Sequence, residues 1–173
     1  STGGRSGGAG GLGLGDSEHP LLGAVIEDPG GESLALTGRL SLQTHPWLAD
    51  HAVSATALLP GTAFLELALE AAEQVGAATV SELALQSPLI LPEQGAVQLQ
   101  LSVSGPDEQG AREISIHSRP ETQGDEQEPW STHAQGLLGS TPAQPGAALD
   151  PWPPQGSEAI DLDYHYDRLA EAG

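Results

Sequence analysis

The chain contains no cysteine and no lysine, and each absence removes a class of function. Without cysteine there can be no disulfide framework, no thiol nucleophile and no thiolate metal site. Five arginines stand against 24 acidic residues, which gives a formal net charge of −19. A protein that binds nucleic acid or anionic lipid presents clustered basic residues, and this composition does not supply them. We therefore expect no nucleic-acid partner and interpret the acidic charge as a source of solubility.

Long apolar runs are missing as well. No stretch approaches the ~18 consecutive apolar residues that a membrane-spanning helix requires. The sequence does not begin with a basic segment followed by an apolar one, which is the pattern of a secretion signal. Histidine, aspartate and glutamate do not cluster at the spacing of a metal site, so we expect no metal. These features predict a soluble, cytoplasmic protein without a membrane partner.

Composition separates a patterned central region from two irregular ones. Residues 1–18 begin with a glycine-rich stretch that has no apolar periodicity, and they are predicted to be a flexible linker. Residues 19–140 carry the apolar patterning of a folded domain. Proline and glycine rise again in residues 141–158, which we interpret as a second linker.

Apolar and polar residues alternate along several central segments, which indicates strands with one buried face. The clearest case is 96–104, and a Gly-Pro-Asp turn connects it to 111–118, so the two segments are predicted to form a hairpin. Segment 33–42 alternates in the same way. Weaker strand patterns lie at 21–26, 79–86 and 130–138.

One segment has a helical pattern. Between residues 62 and 75, Glu66, Glu70 and Glu73 form a narrow polar stripe, and apolar residues cover the remaining faces. Such a helix is expected to be buried, with Gly76 as a natural end point. Two strands, one buried helix and four more strands predict an α+β hot-dog fold, an antiparallel curved sheet wrapped around one central helix.

His51 differs from the other histidines because it precedes both an apolar run and the Pro60-Gly61 pair that opens the helix. Proline stops strand pairing and glycine allows a close backbone approach, so this segment can border a substrate slot. The helix N-terminus offers unpaired N–H groups and a partial positive charge, which suit a substrate oxygen that gains negative charge. A strand-end histidine bonded to a backbone carbonyl is the alternative; we favour a general base.

The residues around His51 resemble the His-x3-Gly-x4-Pro motif of dehydratase domains in bacterial modular type I polyketide synthases. His51 and Pro60 match that motif, and Ala55 occupies the position of its glycine. Further resemblance to these domains lies in residues 19–24, 44–51, 59–66 and 130–138.

The resemblance implies the N-terminal half of a double hot-dog that dehydrates a β-hydroxyacyl thioester on an acyl carrier protein. It implies that His51 removes the α-proton while an aspartate of the second half protonates the departing hydroxyl, because hydroxide leaves poorly without a proton. Ala55, Leu59, Pro60 and Gly61 are implied to line the substrate slot. No cofactor is implied, since the substrate arrives on the phosphopantetheine arm of the carrier protein.

Three partners follow from the same resemblance: the carrier protein, the C-terminal hot-dog half and a second copy in a homodimer. Residues 159–173 resemble the start of the C-terminal hot-dog. Asp161 and His165 have the spacing of the family's Asp-x3-Gln/His motif, which we interpret as a coincidence. The chain is therefore interpreted as a half-domain, and we expect it to aggregate alone because its partner surface would be exposed.

Ala55 leaves alternatives open. A Cβ at a positive φ costs on the order of 1 kcal/mol or more. The domain could be a dehydratase, a same-fold double-bond isomerase, epimerase or oxa-cyclase that uses the same base, or an impaired structural domain. A thioesterase-type hot-dog would need an acid on the central helix, and Glu66 and Glu70 lie on its polar stripe instead.

Structural roles are expected for the other histidines and for the tryptophans. We expect His45 to position its loop, and His117 and His133 to lie on strand faces. Trp47 and Trp130 are expected to be packing residues.

Overall fold

The computed structural model describes residues 9, 13–122, 128–142, 153 and 156–158. The chain divides into two compact units, residues 1–143 and residues 144–173. Most of the predicted linkers 1–18 and 141–158 lies outside the described residues, and so does the whole of 159–173 with Asp161. Within residues 13–18, Gly15 pairs with Val25 through two backbone hydrogen bonds.

The strands and the α-helix described in the first unit are β1 (Ala24–Glu27), β2 (Leu34–Leu40), β3 (Ala52–Val53), β4 (Thr56–Ala57), α1 (Gly61–Gln74), β5 (Thr79–Leu85), β6 (Val97–Val103), β7 (Arg112–Pro120) and β8 (Ser131–Gly139). Six of the strands form an antiparallel sheet with the order β1-β2-β6-β7-β8-β5. A short 3-10 helix, Pro46–Asp50, and the separate β3–β4 hairpin precede α1. The hot-dog fold is confirmed, and the predicted order of elements lacked only the 3-10 helix and the β3–β4 hairpin.

The core lies between one face of the sheet and α1. Alternate residues of β6 point into it, as the period of two predicted, and the β6–β7 hairpin is confirmed by the pairing of Val103 with Ile114 and of Leu101 with Ile116. The buried face of α1 consists of Ala63, Phe64, Leu67, Ala68, Ala71 and Ala72.

The C-terminus of α1 is closed by backbone hydrogen bonds. Val75 is the C-cap, and Gly76 follows with φ of 67°, a left-handed conformation that favours glycine. The N–H of Gly76 donates to the Glu73 carbonyl, and the N–H of Ala77 donates to the Ala72 carbonyl. This pair of bonds is a Schellman motif, so the expectation that Gly76 ends the helix is confirmed.

The prediction that α1 is buried around most of its circumference is wrong. Leu65 is 44% exposed and Leu69 is 50% exposed. The sheet covers one face of the helix, and within the described residues no second layer covers the opposite face. Trp47 and Trp130 are also more exposed than packing residues: Trp47 is 50% exposed, and Trp130 is 40% exposed beneath the Arg119 guanidinium.

We predict that Gly136→Ala weakens the β5–β8 edge of the sheet. A Cβ at position 136 would collide with the backbone carbonyl of Glu82 on the neighbouring strand, so the strands must move apart. Overpacking of this kind costs typically about 1–3 kcal/mol, which urea unfolding would measure. Gly23→Ala is the matched control, because its Cβ would meet only the Thr37 carbonyl oxygen at 3.9 Å. Equal stability of the two variants would contradict the prediction.

Candidate active site

His51 is placed by the 3-10 helix that precedes it. Pro46 begins this helix, and buried Leu48 anchors it to the core. His51 is the C-cap residue, and its N–H donates to the Leu48 carbonyl at 3.4 Å. The side chain of His51 is exposed in this chain. A buried leucine therefore fixes the backbone from which the histidine projects.

Two hydrogen bonds tie His51 to Leu58 across the β3–β4 hairpin. The Leu58 N–H donates to the His51 carbonyl at 3.0 Å, and His51 Nδ1 lies 3.0 Å from the Leu58 carbonyl oxygen. A carbonyl oxygen can only accept, so this contact places the ring proton on Nδ1. Nε2 then carries the lone pair, which is the state that a general base requires.

The turn of this hairpin has an unusual backbone. Ser54 has φ of 49° and Ala55 has φ of 62°. Positive φ at both central residues is the requirement of a two-residue type I′ hairpin, where Asn-Gly and Gly-Gly are preferred. Ala55 therefore carries its Cβ at a positive φ, which is the conformation in which alanine is strained. The bonds between His51 and Leu58 are formed with alanine in the turn.

The segment that bonds to His51 is attached to a second segment of the core. The Leu59 N–H donates to the Leu89 carbonyl at 2.9 Å, and the Leu91 N–H donates to the Ala57 carbonyl at 2.9 Å. Leu89 is fully buried, and Leu91 is nearly so. The carbonyl that orients His51 is thus held between two residues with fixed backbone partners.

A groove of about 320 Å³ opens beside the N-terminus of α1. Its lining residues are Leu59, Gly61, Phe64, Leu85, Gln86, Ser87 and Pro88. Of the four residues expected to line the slot, Leu59 and Gly61 line this groove. Ala55 lies in the hairpin turn and Pro60 is the N-cap of α1, both outside the lining.

The N-terminus of α1 faces this groove without a side-chain cap. Pro60 has an extended backbone and its carbonyl accepts from the Ala63 N–H at 3.0 Å. The first N–H groups of a helix have no partner within it, and they carry a partial positive charge. Such groups suit an oxygen that gains negative charge.

Two further histidines, His45 and His117, form hydrogen bonds with neighbouring parts of the protein. His45 Nε2 donates to the Pro20 carbonyl at 3.0 Å, and Thr44 Oγ1 lies 2.9 Å from Nδ1. His45 thus ties its loop to the chain before β1. On β7, His117 bonds to Thr132 Oγ1 at 3.1 Å, and burial together with the nearby His133 lowers the pKa of His117.

His133 lies on strand β8, where a strand-face residue was expected, and its side chain is on the core side of the sheet. It is 5% exposed, and its ring lies inside the core, with its centroid 6.2 Å from that of Phe64. The sequence pattern did not predict the burial of His133, because the alternation of β8 is interrupted at this point, where His133 and Ala134 are both buried. Two adjacent inward residues, His133 and Ala134, are the one sign of this interruption in β8.

No metal site emerges from the described residues. Their histidine, aspartate and glutamate side chains form no group of three or more that could hold an ion. Within the same ranges, none of the helices combines the length and the apolar character that crossing a bilayer demands.

We predict opposite effects for glycine at two positions of the hairpin. Ala55→Gly removes a Cβ that is strained at positive φ in the folded state, and it also increases the conformational entropy of the unfolded chain. Because the first effect offsets the second, the free energy of unfolding should stay level or rise by up to about 1 kcal/mol. The control, Ala52→Gly in β3, has no such relief and should lose about 0.5–1 kcal/mol. Equal losses in chemical denaturation at both positions would show that the turn does not hold Ala55 at positive φ.

A family comparison and a sequence comparison match this chain to the same kind of protein. Residues 19–119 match the family described as "Polyketide synthase dehydratase domain". Polyketide synthase GfsA of Streptomyces halstedii is 58% identical over 167 residues, which cover 94% of this chain and 2% of that protein.

Two solved structures are similar to the chain. The dehydratase domain from the terminal module of the rifamycin polyketide synthase is 39% identical with a TM-score of 0.84, and the match covers 95% of this chain and 58% of the other. A bifunctional dehydratase-cyclase domain in ambruticin biosynthesis is 45% identical with a TM-score of 0.75, and covers 87% and 56% respectively. The chain thus spans a little over half the length of these two solved domains.

Proposed function

The chain belongs to the polyketide synthase dehydratase domain family, and on that premise we propose that it supplies the base for dehydrating a β-hydroxyacyl thioester on an acyl carrier protein. The observation that carries this proposal is the hydrogen bond between His51 Nδ1 and the Leu58 carbonyl. It leaves Nε2 as a proton acceptor, in a hairpin that leads directly into the groove at Leu59.

The first step is removal of the α-proton. His51 Nε2 takes the proton, the C–H bond breaks, and its electron pair moves toward the thioester carbonyl oxygen. Uncapped N–H groups at the start of α1 stabilise the negative charge that develops on this oxygen. The positive charge of the protonated ring is stabilised by Nδ1–H, which stays bonded to the Leu58 carbonyl.

The second step expels the β-hydroxyl group. The electron pair returns from the enolate, the α,β double bond forms, and the C–O bond breaks as an acid protonates the departing oxygen, which leaves as water. We propose that this acid is an aspartate of a second hot-dog half, as the resemblance implies. The substrate's phosphopantetheine arm provides the attachment, so the reaction needs no further cofactor.

The exposed surface of this unit supports a second half as partner. Among the described residues, strand β5 lies at one edge of the sheet and pairs with β8 alone, so its outer side can continue into another sheet. Leu85, at the end of β5, is 55% exposed. Leu65 and Leu69 on the uncovered face of α1 add further apolar area. We infer that the C-terminal half covers these residues, and that the synthase contributes the carrier protein and a second copy of the domain.

A variant activity of the same site is a second candidate. The similar dehydratase-cyclase domain shows that this fold accommodates a second reaction besides dehydration. Double-bond migration and oxa-cyclisation both require a base at the same position, and His51 meets that requirement equally well. An impaired structural domain is less favoured, because the strained turn at Ala55 still presents His51 with both bonds to Leu58 formed.

We predict that His51→Gln strongly slows dehydration. The experiment joins the chain to the remaining dehydratase sequence of its gene and supplies a β-hydroxyacyl carrier-protein thioester. Intact-mass spectrometry should show loss of one water from the acyl group, and the variant should slow this loss by about 10²–10⁴-fold, the usual contribution of a general base. His117→Gln is the matched control, since His117 lies on β7 away from the groove lining.

Two outcomes would contradict the proposal in different ways. Full dehydration by His51→Gln would remove His51 from the role of base. No water loss by the unsubstituted protein, together with a product of unchanged mass but altered NMR spectrum, would favour the isomerase or cyclase.

A further inference from the structure

Strand β8 contains a bulge at a buried histidine. Ile116 of β7 pairs with Ala134, and the next residue, His117, pairs with Thr132. His133 is therefore an extra residue without a partner across the β7–β8 ladder. A bulge changes the direction of the side chains around it, and here His133 and Ala134 both point into the core, 5% and 0% exposed.

Both ring nitrogens of His133 have partners. Nδ1 lies 3.1 Å from the Ser87 carbonyl oxygen, which can only accept, so Nδ1 carries the proton. Nε2 then accepts from Ser118 Oγ at 2.8 Å. The backbone adds a third connection, because the His133 carbonyl accepts from the Gln86 N–H at 2.8 Å. The ring and the backbone of one residue thus hold the segment 86–87.

This segment continues directly to the backbone that orients His51. Residues 86–88 line the groove, and residues 89–91 follow. Leu89 and Leu91 bond to Leu59 and Ala57, which flank Leu58. The Leu58 carbonyl in turn accepts from His51 Nδ1. A continuous series of hydrogen bonds and short covalent connections therefore runs from the bulge in β8 to the base.

We propose that His133 is a positioning residue for His51, acting through the hydrogen bond from Nδ1 to the Ser87 carbonyl. The inference rests on the proposed function, in which His51 is the base. The bulge serves this role by turning a histidine inward at the point where the 86–91 segment passes β8. The bond to Ser118 stabilises the ring but does not lead to the active site, so the two nitrogens have separable effects.

The experiment compares two substitutions that each keep one of these bonds. The amide of asparagine in His133→Asn can replace Nδ1 as donor to the Ser87 carbonyl. The longer side chain in His133→Gln reaches the position of Nε2 and can bond to Ser118. We expect His133→Asn to keep most of kcat, and His133→Gln to lose about 10- to 100-fold in kcat with a smaller change in KM, as misplacement of a reacting group predicts.

A second readout follows the base itself. Ring 15N signals should show His51 as a single Nδ1–H tautomer in the unsubstituted protein and in His133→Asn, and as a mixture in His133→Gln. Ser118→Ala is the structural control, and it should lower thermal stability while leaving the His51 signals and kcat unchanged. These spectra do not depend on turnover, so failure of the dehydratase assay would be distinguishable from failure of this inference.

A measurement on the unsubstituted protein covers the case in which a variant does not fold. The amides of Gln86, Leu59 and Leu91 should exchange with solvent deuterium as one cooperative unit, because one series of bonds holds them. Independent exchange of these three amides would overturn the proposal. So would identical His51 spectra and kcat in the asparagine and glutamine variants, or a Ser118→Ala variant that loses as much kcat as His133→Gln.

Discussion

The hydrogen bond from His51 Nδ1 to the Leu58 carbonyl is the interaction on which the proposed chemistry of this domain depends. It determines which ring nitrogen holds the proton and fixes the direction of the other. A backbone carbonyl is a dependable partner for this purpose only if its own segment is immobile. Here the neighbouring residues Ala57 and Leu59 are paired with residues 89–91, whose leucines 89 and 91 lie in the core. Packing of these leucines in the core thereby holds the carbonyl that selects the tautomer of an exposed imidazole.

The arginines of the sheet show how an acidic chain uses its few cations. Within the described residues, Arg39 forms an ion pair with Glu121 at 2.6 Å, Arg112 donates to the carbonyls of Glu32 and Ser104, and Arg119 donates to Gln98 and lies over the Trp130 ring. Each of these guanidinium groups is engaged with the protein's own surface.

Elements with strong local periodicity could be predicted from the sequence, and elements set by tertiary contacts could not. The β6–β7 hairpin and α1 were located to within about two residues, because alternation and helical spacing mark them directly. The exposure of Leu65 and Leu69 was missed because a helical pattern shows which residues are apolar, without showing how many layers cover them. The bulge at His133 was missed because an inserted residue disrupts the very periodicity used to find a strand.

For the candidate site the sequence proposed His51 as the base, and of the four residues expected to line the slot, Leu59 and Gly61 line the groove. His51 was identifiable from its neighbours, whereas the groove wall at residues 85–88 comes from a segment distant in sequence, which no local pattern connects to the helix N-terminus.

Occupation of Nδ1 by a backbone carbonyl also restricts the path of the transferred proton. A proton taken up at Nε2 cannot be relayed through the ring to a second acceptor, so it must leave by the way it entered. In the proposed mechanism the imidazolium therefore releases its proton from Nε2. During dehydration this proton passes to solvent after water has left, whereas during double-bond migration it is returned to a carbon atom of the acyl chain.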